Sequence, residues 1–382
     1  MTFQAIPTDQ PNGRFHPVAE YSATLPSHYY CDPAIFQREK EEIFFKSWQY
    51  AGALEDLQEP GDYVTSQLFD QQLLLVRAKD GCLRAFYNVC MHRGHILAEG
   101  KGNKTIFTCP FHAWSYDTTG ALKAAGNAEN VAGFQLEDFG LSEIRVEEFL
   151  NMAFVNLDPY AEAMSVRFRA LEDEILGYMP DVKTFKHTRT DVFNLNCNWK
   201  FVLDQLECYH CPHIHPEAME AVDITKRDSW EYDWWQSHIS YIDDEAMGDY
   251  DKHTLRSKGD DTFKDNHVWY MWPNYLILGQ PGPANLSLVP STPISEESVR
   301  VEVINFFPGE PSAESVHQMD TLRDYVFPQD TAAMERQQVG VRSRGYKQGR
   351  LMVDKEHSWR SEHATHHFDA MVWEALNGPD SY

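Results

Sequence analysis

Two periods alternate along the chain, one near 3.6 residues and one of two, and they divide it before any chemistry is considered. A helix is predicted from Asp32-Pro33 through AIFQREKEEIFFKSW, with Asp32 as N-cap and Pro33 in the first turn. Ile35, Phe36, Ile43, Phe44 and Trp48 give it one apolar side. The period then falls to two: GDYVTSQLFD, QQLLLVRAKDG and CLRAFYNVC read as short strands, with Asp80-Gly81 as a hairpin turn. IFTCPFHAWSYD, the turn Asp117 to Gly120 and ALKAA extend this into a small antiparallel domain that closes with FLNMAFVNLDP. Beyond it come a helical stretch, AMSVRFRALEDEILGYM, and DVFNLNCNWKFVLDQLECYH, which reads as a strand running into a helix. HVWYMWPNYLILG, ANLSLVPSTP and SVRVEVINFFP are strands punctuated by Pro, Gly and Asn. Helices return at QDTAAMERQQVGVRSRGY and WRSEHATHHFDAMVWEAL. The expected fold class is α+β, with a small β domain at 43–156 inserted in a larger domain. The larger domain takes an N-terminal arm and helix from 1–42 and the whole of 157–382, an antiparallel sheet flanked by helices. Residues 1 to about 28, rich in Pro, Ser, Thr and Asn, are expected to pack loosely or on a neighbouring chain.

Composition narrows the classes. Hydrophobic residues at 42% and charged residues at 24% describe an ordinary globular protein. A formal net charge of −25 argues against nucleic acid, whose binders need a basic face. No run of eighteen apolar residues and no charged leader with an apolar core is present, so neither a membrane span nor secretion is expected. Seven cysteines without a secretory context suggest a reducing cytoplasm and cysteine used for metal rather than for disulfides.

Two constellations carry chemistry. Cys90-Met91-His92 and Cys109-Pro110-Phe111-His112 form the pattern C-x-H-x16-C-x2-H, two half-sites that each offer one thiolate and one imidazole. Zinc accepts such a set. So does a two-iron cluster with cysteines on one iron and histidines on the other, a Rieske centre. A C-x-H half is uncommon in structural zinc sites, which favours the cluster. Downstream, Glu207-x2-His210-x4-His215 offers two imidazoles for a facial triad of the non-haem iron type, with its carboxylate to come from elsewhere. His210 would end a helix and His215 would follow the break at Pro212. Zinc bound by Cys208, Cys211 and His213 or His215 is the rival, and His213 competes with His215. An electron-delivering cluster upstream favours iron, because zinc accepts no electron. The tail histidines His357, His363, His366 and His367 read as one polar helix face opposite Trp359, Phe368, Val372 and Leu376.

With these residues in place, the chain resembles the alpha (catalytic) subunit of Rieske non-haem iron ring-hydroxylating oxygenases from about Tyr29 almost to the C-terminus. FFKSWQYAG, EPGDYV, AFYNVCMHRG, CPFHAWSYD, NWK and ECYHCPHIHP follow that family's order at close to its spacings. Ala113 departs from a common Gly, and Gln205 from a common Asn. The resemblance implies a helix-grip catalytic domain and a Rieske 2Fe-2S cluster on Cys90, His92, Cys109 and His112. It also implies a mononuclear Fe(II) on His210, His215 and Asp330. Asp330 is otherwise an ordinary N-cap, and Glu314, Asp320 and Asp324 compete with it in sequence. Glu207 matches a bridging carboxylate between that iron and the cluster of a neighbouring subunit, so a homotrimer is implied, the two metals of one chain being too far apart. Electrons are implied to come from NAD(P)H through a separate flavin and iron-sulfur reductase or a ferredoxin, since this chain has no dinucleotide fingerprint. O2 is the co-substrate.

Glu at 207, the ECYHCPHIHP segment and the tail YKQGRLMVDKEHSWRSEHATHHF resemble the branch acting on choline, betaines or carnitine. That implies a monooxygenase that hydroxylates or N-demethylates a small quaternary or N-methylated amine. An aromatic-ring hydroxylating dioxygenase or O-demethylase of the same architecture is the alternative. Trp230, Tyr232, Trp234, Trp235, Tyr241, Trp269, Tyr270, Trp272 and Tyr275 are available either to cage a cation or to fill the core.

Overall fold

The computed structural model describes residues 15–207, 210–216, 222–242, 263–379 and 381. The chain forms two compact units, Phe44–His187 and a second built from residues 1–43 with 188–382.

In the first unit the predicted strands fold into a seven-stranded antiparallel sheet. In chain order the strands are β1 (Gln49–Ala53), β2 (Asp62–Leu68), β3 (Gln71–Arg77), β4 (Leu83–Tyr87) and β5 (Lys101–Asn103), then β6 (Ile106–Thr108), β7 (Ser115–Asp117), β8 (Leu122–Ala124), β9 (Glu143–Phe149) and β10 (Met152–Asn156). The large sheet runs β1-β10-β9-β4-β3-β2-β5, and β6-β7-β8 make a separate three-stranded sheet. Alternation along β2 and β3 sends one set of side chains, with Tyr63, Leu74 and Val76, toward a core that includes Phe107 and Tyr116. The other set, with Val64, Leu73 and Leu75, packs on Ala153 and Val155. The hairpin at Asp80-Gly81 forms as expected, Gly81 at φ +81° and Asp80 accepting the Cys82 N–H.

This unit runs past the predicted end at 156. The helical stretch splits into Met164–Arg167 and α2 (Arg169–Tyr178), and its apolar residues Met164, Leu171 and Ile175 are fully buried. Side chains of the sheet region hold the following backbone: Trp48 Nε1 donates to the Glu162 carbonyl and Asn151 Nδ2 to that of Phe185, at 3.0 and 2.9 Å.

The second unit is a seven-stranded antiparallel sheet of β11 (Lys186–Leu195), β12 (Val222–Glu231), β13 (Trp235–Ile242), β14 (Asn266–Met271), β15 (Tyr275–Gly279), β16 (Leu286–Ser295) and β17 (Ser298–Phe307), in the order β11-β17-β16-β15-β14-β13-β12. β11 begins two residues before the boundary between the units. The C-terminal helix α5 (His363–Asn377) lays Phe368 edge-on to Tyr270 of β14 and to Trp199. Before it come α3 (Ala313–Thr321), a π-helical turn at Leu322–Val326 and α4 (Phe327–Val341), one continuous helical path.

The first helix, α1 (Pro33–Glu42), is capped as predicted, the Asp32 carboxylate accepting Ala34 N–H at 2.8 Å. It ends six residues early, and Phe44–Lys46 form a 3₁₀ turn instead. Glu39 ties it to the rest of the second unit. Its carboxylate pairs with Lys200 Nζ and accepts from Trp199 Nε1, with Glu39 and Lys200 both fully buried. Removing one partner strands a buried charge. Glu39→Ala is therefore expected to cost about 3–5 kcal/mol in chemical denaturation, and the apolar pair Glu39→Leu with Lys200→Met to recover most of it. A single variant within about 1 kcal/mol of the parent would refute this.

From residue 15 on, the N-terminal arm is not loosely packed; residues 1–14 lie outside the described residues. Phe15 is 2% exposed and stacks on His366 and Trp373, Leu25 is sealed, and Ala23 bridges to Arg350. Two apolar anchors among polar residues suffice to dock it. The same packing corrects the polar-face reading of the tail, because His366 is buried and His367 bonds Gln236. No described helix is long and apolar enough to cross a membrane.

Candidate metal centres

The loops after β4 and β6 are built alike. Cys90 N–H donates to the His95 carbonyl and Gly94 N–H to that of Cys90; Cys109 N–H donates to Trp114 and Ala113 N–H to Cys109. Each loop thus closes around its cysteine, and each needs a left-handed residue four positions on: Gly94 at φ +73° and Ala113 at φ +58°. Ala113 accepts a strain of roughly 1–2 kcal/mol where glycine accepts none. Both cysteines are buried yet carry free thiols, while His92 and His112 stand exposed with ring centroids 4.7 Å apart. His92 stacks on Trp114, and the Tyr116 hydroxyl lies 3.4 Å from Cys90 Sγ and accepts Met91 N–H at 3.0 Å. Two buried thiols and two exposed, adjacent imidazoles are the donor types of a two-iron cluster with mixed ligands.

In the second unit the helix predicted through His210 is shorter than expected: Lys200–Leu203 is a single turn. His210 precedes a second short helix, Cys211–Ile214, so Pro212 starts a turn rather than breaking one. His215 ends that turn, 3% exposed, whereas His213 is exposed and does not reach the same cavity. Asp330 comes from the first turn of α4 and is no N-cap, since the helix arrives from upstream without interruption. Its Oδ1 lies 2.6 Å from His215 Nε2. The sequence competitors are engaged or remote: Asp320 pairs with Arg189, Asp324 with Arg323, and Glu314 lies at the start of α3.

His210, His215 and Asp330 all line one cavity of about 220 Å³. The outer nitrogen of each imidazole is already held. His210 Nδ1 donates to Glu207 Oε1 at 2.9 Å and His215 Nδ1 to Gln329 Oε1 at 2.6 Å, which leaves Nε2 of each for a metal. Burial pulls His215 downward, but the hydrogen bond and charge of Asp330, with Gln329, hold it above its ordinary value. Gln329 was not anticipated, although its place beside Asp330 in FPQD was a usable signal. Two imidazoles and one carboxylate are the donor types of an iron facial triad; the cavity gathers them along one lining, while among the described residues no three such groups stand arranged to hold a metal ion. Of the zinc alternative, Cys211 is buried and is not among the free thiols. Cys208 lies outside the described residues.

Glu207 faces a second cavity of about 410 Å³, shared with Tyr30, Asp204, Glu362, Thr365 and Asp369. Thr365 Oγ1 lies 3.2 Å from Glu207 Oε2 and 3.0 Å from the Asp204 carbonyl. Burial pushes Asp204 up to about 7 against the pull of Tyr30 and Lys200, with the charges of Glu207 and Glu362 adding to the rise. Burial and Asp204 likewise hold Asp369 well above the carboxylate range.

None of the nine aromatic residues available for a cation cage lines the triad cavity among the described residues. Trp235, Trp269, Tyr270, Trp272 and Tyr275 are core, and Trp230, Tyr232 and Tyr241 lie at the surface.

Residues 47–135 match the model of the Rieske [2Fe-2S] domain, and residues 182–378 that of the ring hydroxylating alpha subunit (catalytic domain). The carnitine monooxygenase oxygenase subunit of Escherichia coli (strain K12) is 32% identical over 353 residues, 91% of this chain and 92% of that protein. The chloroplastic choline monooxygenase of Beta vulgaris is 34% identical over 214 residues, 54% of this chain and 47% of that protein. Among solved structures, the quaternary ammonium Rieske monooxygenase CntA in complex with L-carnitine superposes with a TM-score of 0.82 at 28% identity, covering 94% of this chain and 97% of that one. Naphthalene 1,2-dioxygenase from Rhodococcus sp. gives 0.69 at 17% identity, with 94% and 95% covered, a likeness of fold alone.

Proposed function

Because the chain belongs to the ring-hydroxylating oxygenase alpha-subunit family, which carries a Rieske cluster and a mononuclear iron, we propose that it oxygenates a small quaternary ammonium compound at a carbon beside nitrogen. The observation that carries this reading is the cavity itself. His210, His215 and Asp330 stand at one side of a space walled by Val268, Leu276, Leu278 and Val289. A quaternary nitrogen has no N–H to donate and carries its charge behind methyl groups, so those methyl groups pack on such walls while Asp330 puts an opposite charge in the same lining. The iron, when held by those three residues, supplies oxygen activation. The chain's own residues fix both imidazoles through Glu207 and Gln329 and surround the substrate with apolar side chains. Oxygenation beside nitrogen gives a carbinolamine, which separates into an aldehyde and an amine without further catalysis.

The cluster ligands are Cys90, His92, Cys109 and His112, and Glu207 is the bridging carboxylate. Exposure of His92 and His112 beside the exposed Met91 and Phe111, together with a cavity open at Glu207, supports a ring of three copies in which the cluster end of one meets Glu207 of the next. A separate NAD(P)H-dependent reductase delivers the electrons.

The test is oxygen uptake with aldehyde release from a panel of carnitine, γ-butyrobetaine, glycine betaine and choline, supplied with a compatible reductase. At least one member should give aldehyde in proportion to oxygen consumed. Turnover of an aromatic acid with none from the panel would establish the aromatic alternative instead.

A further inference from the structure

The triad cavity has one polar wall. Arg227 of β12 pairs in register with Ser240 of β13, and Ser240 with Asn266 of β14, so three polar side chains form a row across adjacent strands and all line the cavity. Two atoms of this row are buried without a partner, Arg227 Nε and Asn266 Oδ1. Arg227 Nη2 donates to the Leu206 carbonyl. Glu207 acts on Arg227 only through its charge, since its two oxygens are engaged by His210 and Thr365. No carboxylate among the described residues lies at ion-pair distance from the guanidinium. Burial draws Arg227 down to about 10, so it remains charged at neutral pH.

A half-buried guanidinium with a buried, idle Nε–H and no ion-pair partner among the described residues is costly to hold, and an anion that enters with the substrate removes that cost. Arginine also offers a carboxylate a planar, fixed set of donors that lysine lacks. We propose that the Arg227–Ser240–Asn266 row binds a carboxylate of the substrate, making this oxygenase selective for N-methylated amino acids over amino alcohols. Arg227 Nε–H and the Ser240 hydroxyl donate to the carboxylate, and the methylated nitrogen lies among the Val and Leu walls toward the triad. Arg227 is thus a specificity residue, and the inference rests on the proposed function.

The experiment compares carnitine, its methyl ester and choline on the reconstituted enzyme. It uses wild type, Arg227→Leu, Arg227→Lys and Asn266→Asp, each with cluster and mononuclear iron loaded. The readouts are kcat and KM separately, and perturbation of the mononuclear iron signal on binding. Wild type should favour carnitine over its ester by at least about 30-fold in kcat/KM, mainly through KM. Arg227→Leu should bring that ratio close to one, with Arg227→Lys intermediate. Asn266→Asp, which sets a like charge beside the carboxylate, should raise KM for carnitine and not for choline. Because the ratio is taken within one variant, general damage to electron delivery cancels. An unchanged ratio in Arg227→Leu, or a wild type indifferent to esterification, would overturn the carboxylate site while leaving oxygenation of quaternary amines standing. Failure of all three compounds to bind wild type would overturn the proposed function and this inference with it.

Discussion

Asp330→Ala should lower the iron content from about three atoms per chain to the about two of the cluster alone, and turnover should fall below detection. The described residues offer no substitute. Asp330 Oδ1 is the carboxylate oxygen against His215 Nε2, and the nearby acids of the same helical path are engaged by Arg189 and Arg323. Removing it leaves two imidazoles, too few to hold Fe(II) against water, while the cluster-bearing unit keeps its visible spectrum. Metal analysis and absorption spectra of the same preparation check both halves. A variant that kept its third iron would place the carboxylate elsewhere. A wild type with only two would describe an electron carrier rather than an oxygenase.

Glu207→Ala should leave all three irons in place and stop the reoxidation of reduced cluster by substrate and O2. One oxygen of Glu207 orients His210, and the other meets Thr365 at the cavity where a second copy would dock. Loss of the first contact alone would weaken metal affinity or activity about 10- to 100-fold, the usual effect of an outer partner. Loss of the link to the neighbouring cluster should act on the rate of single-turnover reoxidation and do so far more severely. Glu207→Gln, which keeps the length and one acceptor, separates the two effects. If reoxidation in Glu207→Ala ran at the parental rate, Glu207 would be no bridge.

The cluster was legible because its chemistry is local: sixteen residues separate its half-sites, and each half closes its own turn. The triad was legible only in part. His210 and His215 lie five apart, but Asp330 lies 115 residues beyond His215, and only the resemblance singled it out. His213 against His215 could not be decided from spacing, because the answer depends on where the turn of Cys211–Ile214 begins. Arg227 escaped notice for another reason. It sits in the charged stretch TKRDSWE, which reads as a solvated strand, and only pairing with β13 and β14 reveals that this face closes the iron cavity. The aromatic residues erred the other way: composition cannot say whether a ring fills a core or lines a site, and here five of the nine fill the core.

The π-helical turn at Leu322–Val326 holds one residue more than an α turn would between α3 and α4. Because a π turn absorbs one extra residue in a single wide turn, deleting one residue there restores α winding with the helix beyond it in nearly the same phase, whereas a one-residue change in regular α-helix, which advances about 100° per residue, would swing Asp330 by about that angle away from His215. The carboxylate proposed for the metal is therefore placed by the phase of its helix as well as by being an aspartate. A frame-preserving deletion of Asp324 should therefore keep the third iron that Asp330→Ala loses, and metal analysis of the two variants side by side checks it.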